Sequence, residues 1–186
     1  EDLSKSYGYK RKSSGLDFTL KIPYKFDVGN DKYFLMSTGY EMNDIYSLSS
    51  LASSSVTQNS GKSNNIFFHN SYVANSTNDN FNPTSGIFHK TTLNFVPTGI
   101  SDDDYIKIFS INNFYFNNKL SDNSFFILSK IGLASGLSSK IKTKDSFTLG
   151  GDFKGFQFSG IGPRDSSLNY LGGTKMYQLT LGYSTP

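Results

Sequence analysis

The chain of 186 residues has no cysteine and no tryptophan, and it has only two histidines. Without cysteine it can form neither a disulfide framework nor a metal site built on thiolates. No run of about 18 apolar residues occurs, which is the length that a transmembrane helix needs. The net charge of +3 is small and the charged residues are spread along the chain. Nucleic acid is therefore not expected as a partner.

Aromatic residues, glycine, serine and asparagine are plentiful instead. The sequence holds 17 Phe, 12 Tyr and 17 Gly, although only 36% of its residues are hydrophobic. Aromatic side chains pack well on the pleated surface of a sheet, so this composition favours many half-exposed strands over helices. We predict an all-β fold. Strands that alternate apolar and polar residues, as in a transmembrane β-barrel, also give such weak hydropathy.

Seven extended segments can be read from the alternation of side chains. They cover residues 15–22, 33–42, 65–75, 87–96, 104–117, 123–134 and 175–184. The first and the last alternate most cleanly, as a two-faced strand requires. Their apolar faces are predicted to face lipid, and they consist of Leu16, Phe18, Leu20 and Ile22 in the first strand and Tyr177, Leu179, Leu181 and Tyr183 in the last.

The connections between these segments alternate in length. Short polar turns are predicted at residues 27–32, 76–86 and 118–122, and long loops at residues 43–64 and 135–174. The loop at 43–64 is rich in Ser and Asn, contains little that could pack, and is predicted to be mobile. Short turns on one side and long loops on the other are typical of outer-membrane barrels. The sequence thus favours a barrel over a soluble β-sandwich.

The last long loop contains four glycine-anchored elements in a fixed order, ending directly before the clean final strand. The elements are Leu149-Gly150-Gly151, Lys154-Gly155-Phe156, Ile161-Gly162-Pro163-Arg164-Asp165 and Leu171-Gly172-Gly173. In this order they resemble the lumen loop of the BamA family of outer-membrane protein assembly factors, within the surface antigen superfamily. The segment Asn82-Pro83-Thr84-Ser85-Gly86 resembles a short periplasmic turn of the same family.

This resemblance implies an antiparallel transmembrane β-barrel, of which residues 1–186 would be a partial C-terminal domain. About seven strands would come from a parent barrel of roughly sixteen, with POTRA domains before them and further strands after them. The implied function is to assemble and insert other barrel proteins in the bacterial outer membrane. Unfolded barrel clients, membrane lipid and accessory assembly lipoproteins are the implied partners.

One position departs from the family motif, because Lys154 stands where an arginine is usual. The resemblance implies that this cation meets acidic groups on the barrel wall while Phe156 packs against apolar lumen surface. Lysine keeps the charge but lacks the planar fork with which arginine binds a carboxylate. Either the wall partner differs in this protein, or Arg164 supplies the guanidinium.

Two other interpretations remain open at the level of sequence. A related transporter, either a two-partner secretion pore or a mitochondrial sorting-and-assembly homologue, would share the motifs. A soluble surface β-sandwich would share the alternation and would bury the two clean apolar faces together.

An enzyme is not expected, because no catalytic or phosphate-binding motif occurs. No cofactor or metal is predicted: His69 and His89 lie in strands, and Asp102 to Asp104 is taken as a solvated acidic turn.

Overall fold

The protein was analysed as a computed structural model, which describes residues 9–27, 30–48, 57, 60–118, 123–151, 155–156, 160–166, 168 and 170–185. Seven antiparallel strands form one sheet in chain order. They are β1 (Lys10–Asp27), β2 (Asn30–Tyr46), β3 (Gly61–Asn75), β4 (Gly86–Val96), β5 (Tyr105–Asn118), β6 (Asn123–Gly136) and β7 (Lys175–Ser184). The predicted all-β fold is confirmed.

The strand register gives the sheet two chemically distinct faces. Leu16 of β1 pairs with Tyr40 of β2, and Ile127 of β6 pairs with Leu181 of β7. We call the face that carries these apolar residues the outer face, and the opposite face, which a long loop covers, the inner face. The two clean alternating segments of the sequence therefore place their apolar residues on the outer face, as the alternation predicted. A membrane-spanning helix is not found among the described residues.

The exposure of the outer face excludes the sandwich interpretation. A sandwich would bury the apolar faces of the first and last strands against each other. Leu16 is 83% exposed and Tyr177 is 63% exposed in the structure. The described strands belong to one sheet, so among the described residues these side chains have no second sheet to pack against.

Several strands extend further than the sequence predicted. The predicted loop at 43–64 is wrong at both ends, because β2 continues to Tyr46 and β3 begins at Gly61. Asn43 and Ile45 are buried on the inner face, and Asn43 Oδ1 accepts a hydrogen bond of 2.9 Å from Arg11 Nε. Neighbouring strands supply hydrogen bonds to polar side chains here. The strand pairing therefore extends into a segment that composition alone assigns to a loop. The interior of this loop lies outside the described residues.

The turn predicted at 27–32 is shorter in the structure. Asp27 pairs with Asn30, so the ladder between β1 and β2 continues almost to the tip. The register of β1 shifts between Pro23 and Lys25. A bulge is where a strand tolerates proline, because proline cannot donate a hydrogen bond to the ladder.

The connections fall on two sides of the sheet, as predicted. The connections β2–β3, β4–β5 and β6–β7 lie at one end of the strands, and the turns β1–β2, β3–β4 and β5–β6 lie at the other. In the β3–β4 turn, Asn78 Oδ1 accepts hydrogen bonds from the backbone N–H groups of Thr84 (3.0 Å) and Ser85 (2.9 Å). Gly86 then adopts a φ of +102°, which favours glycine.

Candidate functional site: the motif loop and its attachments

The long β6–β7 connection, which we call the motif loop over residues 147–173, is held by three isolated antiparallel bridges. Phe147 and Gly173 exchange two backbone hydrogen bonds of 2.9 and 2.8 Å at its base. Further along, Leu149 pairs with Ile161 and Arg164 with Tyr170. These three bridges satisfy backbone groups that would otherwise be unpaired in a loop of this length. The described parts of the loop are therefore held at these three bridges.

The glycines of the motif mark where the loop bends. Gly150, Gly151, Gly155, Gly162 and Gly172 all have positive φ angles. A side chain at Gly172 would also meet Ser146 Cβ at 2.6 Å. Positive φ and a close backbone approach are the two conditions that require glycine. Among the remaining motif positions, Ile161 lies in a bridge, Pro163 accepts a backbone hydrogen bond from Leu171, and Asp165 accepts one from Leu168.

Two central motif residues are only partly placed by the structure. Lys154 lies outside the described residues, so its partner on the wall stays a prediction. Phe156 is described and its side chain is 53% exposed. The described strands and loop therefore cover only about half of the Phe156 side chain. Its predicted packing against the lumen surface is only partly present in them.

Among the described residues, Arg164 binds within the loop and not to a wall carboxylate. Its Nη2 donates hydrogen bonds to Gly160 O at 3.2 Å and to Tyr170 Oη at 2.9 Å, and its guanidinium lies 4.3 Å from the centre of the Tyr170 ring. Tyr170 is only 3% exposed and packs with Tyr9 and Ile45. Arg164 thus fixes an aromatic side chain that joins the motif loop to the inner face at β1 and β2.

We expect Arg164→Met to loosen the part of the loop around the bridge between Arg164 and Tyr170. A cation over an aromatic ring at an exposed site contributes about 0.5–1 kcal/mol, so the amides of Leu168 and Leu171 should exchange hydrogen about fivefold faster. Hydrogen exchange followed by mass spectrometry measures this. Lys140→Met, which changes an exposed lysine next to the loop base, should leave these amides unchanged. Equal exchange in Arg164→Met and the wild type would contradict the assignment.

Phe147 anchors the base of the loop on the wall. Its ring is 8% exposed, lies 6.1 Å from the ring of Phe109 and is covered by Lys107 Nζ at 4.2 Å from its centre. The space for the ring exists because β6 has Gly132 beneath it. A Cβ at Gly132 would lie 2.4 Å from Phe147 Cζ. No motif in the sequence marks either residue for this role.

A cavity of about 400 Å³ lies between the loop base and the wall. Its lining combines apolar groups such as Phe147 and Leu149 with the cations Lys107 and Lys130. Gln178 of β7 also lines it, and Gln178 Oε1 is buried without a hydrogen-bond partner among the described residues. Polar inner-face groups under an overlying loop are the arrangement expected for a lumen that holds water.

A cluster around Asp103 ties three chain segments together next to the loop base. Asp103 of the β4–β5 connection accepts hydrogen bonds from Lys144 Nζ at 2.5 Å and Asn65 Nδ2 at 3.0 Å, and it forms an ion pair with Lys142. Lys144 also donates to Ser63 Oγ at 3.1 Å. We call these five residues the Asp103 cluster. It connects β3, the β4–β5 connection and the segment that leads into the motif loop.

Burial, hydrogen bonds and nearby charges together set the pKa values of Asp103 and the neighbouring Asp145. The side chains of Asp103 and Lys144 are each 2% exposed. Burial alone would raise the pKa of Asp103, but hydrogen bonds from Asn65, Lys142 and Lys144 outweigh it and hold that pKa well below its usual range. Burial raises the pKa of the neighbouring Asp145. Of these two carboxyl groups, Asp103 is the one that balances the buried cations.

The interpretation of Asp102 to Asp104 as a solvated turn is therefore wrong at its centre. Asp103 is buried and paired, and Asp104 is also buried, whereas Asp102 is exposed. The sequence did contain a signal for this pairing. Lys140, Lys142 and Lys144 alternate shortly before the motif loop and complement the run of three acidic residues.

The two histidines do not form a shared site. The register places His69 on the inner face beside Ser37, and His89 on the outer face beside Asn112. Residues on opposite faces of one sheet cannot bind the same ion. Among the described residues no group of three His, Asp or Glu side chains is placed to hold a metal.

The comparisons with known proteins agree with this arrangement of sheet and loop. The model of the Omp85 superfamily domain matches residues 1–186. The chain belongs to the Omp85 superfamily. A search of curated proteins returned no match. Among solved structures, this Omp85 chain is similar to BamA from Haemophilus ducreyi lacking POTRA domains 1–3, with a TM-score of 0.79 and 20% sequence identity.

The extent of this match defines what the fold comparison covers. It includes 96% of the Omp85 chain described here and 38% of the BamA chain. At this identity the match shows the fold, which is that of a segment of the BamA barrel. Family and fold together indicate an outer-membrane β-barrel protein, and the exposed apolar outer face is the surface that lipid would cover.

Proposed function

We propose that this chain provides part of the wall and the lumen loop of an insertase that assembles other β-barrel proteins into the bacterial outer membrane. The observation that carries the proposal is the attachment of the motif loop at two distant places on the inner face. Phe147 packs beside Gly132 at the loop base, and Tyr170 packs with Tyr9 and Ile45. A loop held at both places links the inner face at β2 to the inner face at β6.

Such a brace fits an assembly role better than a simple pore. A barrel that inserts other barrels has to keep its own wall folded while it interacts with client strands. A loop that links distant strands across the lumen stabilises the wall without closing its hydrogen-bonding edges. In this proposal the partners are unfolded outer-membrane barrel clients, membrane lipid and accessory assembly lipoproteins. The role is mechanical, so the protein is not an enzyme.

The proposal is tested by depletion of the whole protein from its own cells. We expect the folded outer-membrane barrel proteins to fall together in abundance. Heat-modifiable mobility on gels separates folded from unfolded barrels and measures this. If those barrels persist while secretion of one soluble partner stops, the protein is a secretion pore. A fall in mitochondrial outer-membrane barrels would place the same activity in that organelle.

We further expect Lys154→Glu to reduce the amount of folded barrel proteins several-fold. The substitution reverses the charge of the motif cation, and a destabilisation of about 1–2 kcal/mol changes abundance by this much in cells. Quantitative blots of mature outer-membrane barrels measure the effect. Lys140→Glu makes the same charge change at an exposed lysine near the loop base and serves as the control. Unchanged barrel levels in Lys154→Glu would rule out a role for this cation.

A further inference from the structure

The outer face carries a group of polar side chains at the centre of β4, β5 and β6. The register aligns Thr91 with Ser110, and His89 with Asn112, on neighbouring strands. Ser129 of β6 pairs with Asn112 and donates a hydrogen bond of 3.4 Å to Asn112 O. We call these five residues the outer polar cluster. The described part of the motif loop lies over the opposite face.

The cluster lies in the middle of an apolar band. On β5 the outer-face residues on one side of the cluster are Ile106 and Ile108, and those on the other side are Phe114 and Phe116. On β6, Phe125 and Ile127 precede Ser129, and Ile131 and Leu133 follow it. On β5 and β6, two rows of large apolar residues at about 3.4 Å per residue separate the cluster from either end of the band. On β4, Leu93 and Phe95 do so at one end and Ile87 does so at the other. Lipid headgroups therefore lie too far away to satisfy it.

Four of the side chains form a closed cycle of hydrogen bonds. Asn112 Nδ2 donates to Ser110 Oγ at 3.2 Å, so Asn112 Oδ1 is the acceptor for His89 Nδ1 at 2.6 Å. His89 Nε2 then accepts from Thr91 Oγ1 at 3.0 Å. Ser110 and Thr91 share the remaining bond of 3.0 Å. A neutral imidazole with its proton on Nδ1 completes the cycle without any formal charge.

The cycle leaves a defined set of groups without partners. Asn112 has a second N–H, for which no acceptor exists among the described residues, and the Thr91 and Ser110 hydroxyls each keep one lone pair. In hydrocarbon an unsatisfied polar group costs several kcal/mol. The missing partner must therefore accept one hydrogen bond and donate another within a few ångströms. A carboxamide side chain does both.

The shape of the surface points to a protruding partner group. The cluster residues are half-buried, while Ile108 and Ile131 beside them are each 45% exposed. Small polar side chains thus lie in a recess between larger apolar ones. A second copy of the same surface would place recess against recess. An asparagine or glutamine that projects from a transmembrane segment would fill it.

We propose that the outer polar cluster is a docking site for a transmembrane segment of a partner protein that carries a carboxamide side chain at its midpoint. The carboxamide oxygen accepts the free N–H of Asn112, and its N–H donates to the Ser110 or Thr91 hydroxyl. The apolar residues around the recess pack against the rest of the segment. This site is separate from the motif loop, and it does not depend on the insertase function.

The test uses the whole protein in lipid vesicles with a synthetic transmembrane helix of Leu and Ala. One helix carries a single Gln at its centre, and the other carries Leu there. This chain has no cysteine of its own, so Ser135→Cys at the end of β6 provides a site for a fluorescent donor once any cysteines elsewhere in the whole protein are replaced by serine. Energy transfer to an acceptor on the helix then reports binding. We expect a roughly tenfold preference for the Gln helix, the upper range for polar contacts between membrane segments.

Two variants and one control make the result specific. Asn112→Leu should abolish the preference, and Thr91→Val, which keeps the shape of the side chain, should weaken it even if Asn112→Leu fails to fold. Asn70→Leu changes an outer-face asparagine of β3 outside the cluster and should have no effect. Equal binding of both helices would overturn the proposal. So would energy transfer between copies of the protein that Asn112→Leu abolishes, because the occupant would then be a second copy.

Discussion

Asp103→Asn should lower the free energy of unfolding of the whole protein by about 3–5 kcal/mol. The substitution leaves Lys144, whose side chain is 2% exposed, without its closest carboxylate. The carboxylate that remains near it is Asp145, at 3.9 Å. A buried cation that loses its partner retains the full cost of desolvation, which makes this loss larger than that of an exposed ion pair. Urea titrations in lipid vesicles, followed by gel mobility of the folded form, measure the difference.

The neighbouring residue provides a matched control. Asp102 is exposed, so Asp102→Asn should cost less than about 1 kcal/mol. The double variant Asp103→Asn with Lys144→Met should recover part of the loss, because it removes the buried charge as well. If Asp102→Asn and Asp103→Asn have equal effects, burial does not determine the energy of this cluster.

The pH dependence of this effect follows from the pKa of Asp103. Hydrogen bonds hold the folded-state pKa below its usual range despite burial, so the unfolded state binds a proton more readily. The stabilisation is therefore fully present above the unfolded pKa of about 3.9 and is lost as the pH falls through the folded pKa. The difference between wild type and Asp103→Asn should stay constant from neutral pH to about pH 5, and it should shrink only below about pH 4.

Gly132→Val should cost about 1–3 kcal/mol and release the base of the motif loop. Valine suits a strand, so the cost comes from the Phe147 ring, which a Cβ at this position would meet at 2.4 Å. The displaced ring takes the paired backbone of Phe147 and Gly173 with it. The same urea titrations measure the stability, and hydrogen exchange at the amides of Phe147 and Gly173 measures the release.

A second wall glycine separates the loop effect from simple overpacking. Gly182 lies beneath the ring of Phe126, which a Cβ would meet at 2.0 Å, but Phe126 belongs to β6 and not to the loop. Gly182→Val should therefore destabilise the protein without faster exchange at Phe147 and Gly173. Adding Phe147→Ala to Gly132→Val should relieve the overpacking. If the double variant is less stable than Gly132→Val alone, Gly132 does not have the role of making room for the Phe147 ring.

The sequence by itself determined the seven strands, the two faces of the first and last strands, and the sides on which turns and loops lie. Alternation with a period of two decides which face each side chain occupies, and this needs no distant contact. It could not give the strand ends near Asn43 and Ser63, because their polar side chains become strand residues only when neighbours satisfy them. The motif glycines were also visible, since positive φ is a local requirement of the backbone.

Only the tertiary structure decided how the motif loop is held. The partners Gly132 and Phe147 are 15 positions apart, and Asp103 and Lys144 are 41 apart. Tyr170 meets Tyr9 and Ile45 from the opposite end of the chain. No local pattern distinguishes the glycine that makes room for the Phe147 ring from a turn glycine, or the buried Asp103 and Asp104 from the exposed Asp102. The strand register and the path of the loop together decide which side chains are buried and which are paired. Burial and pairing then set the energy of each contact.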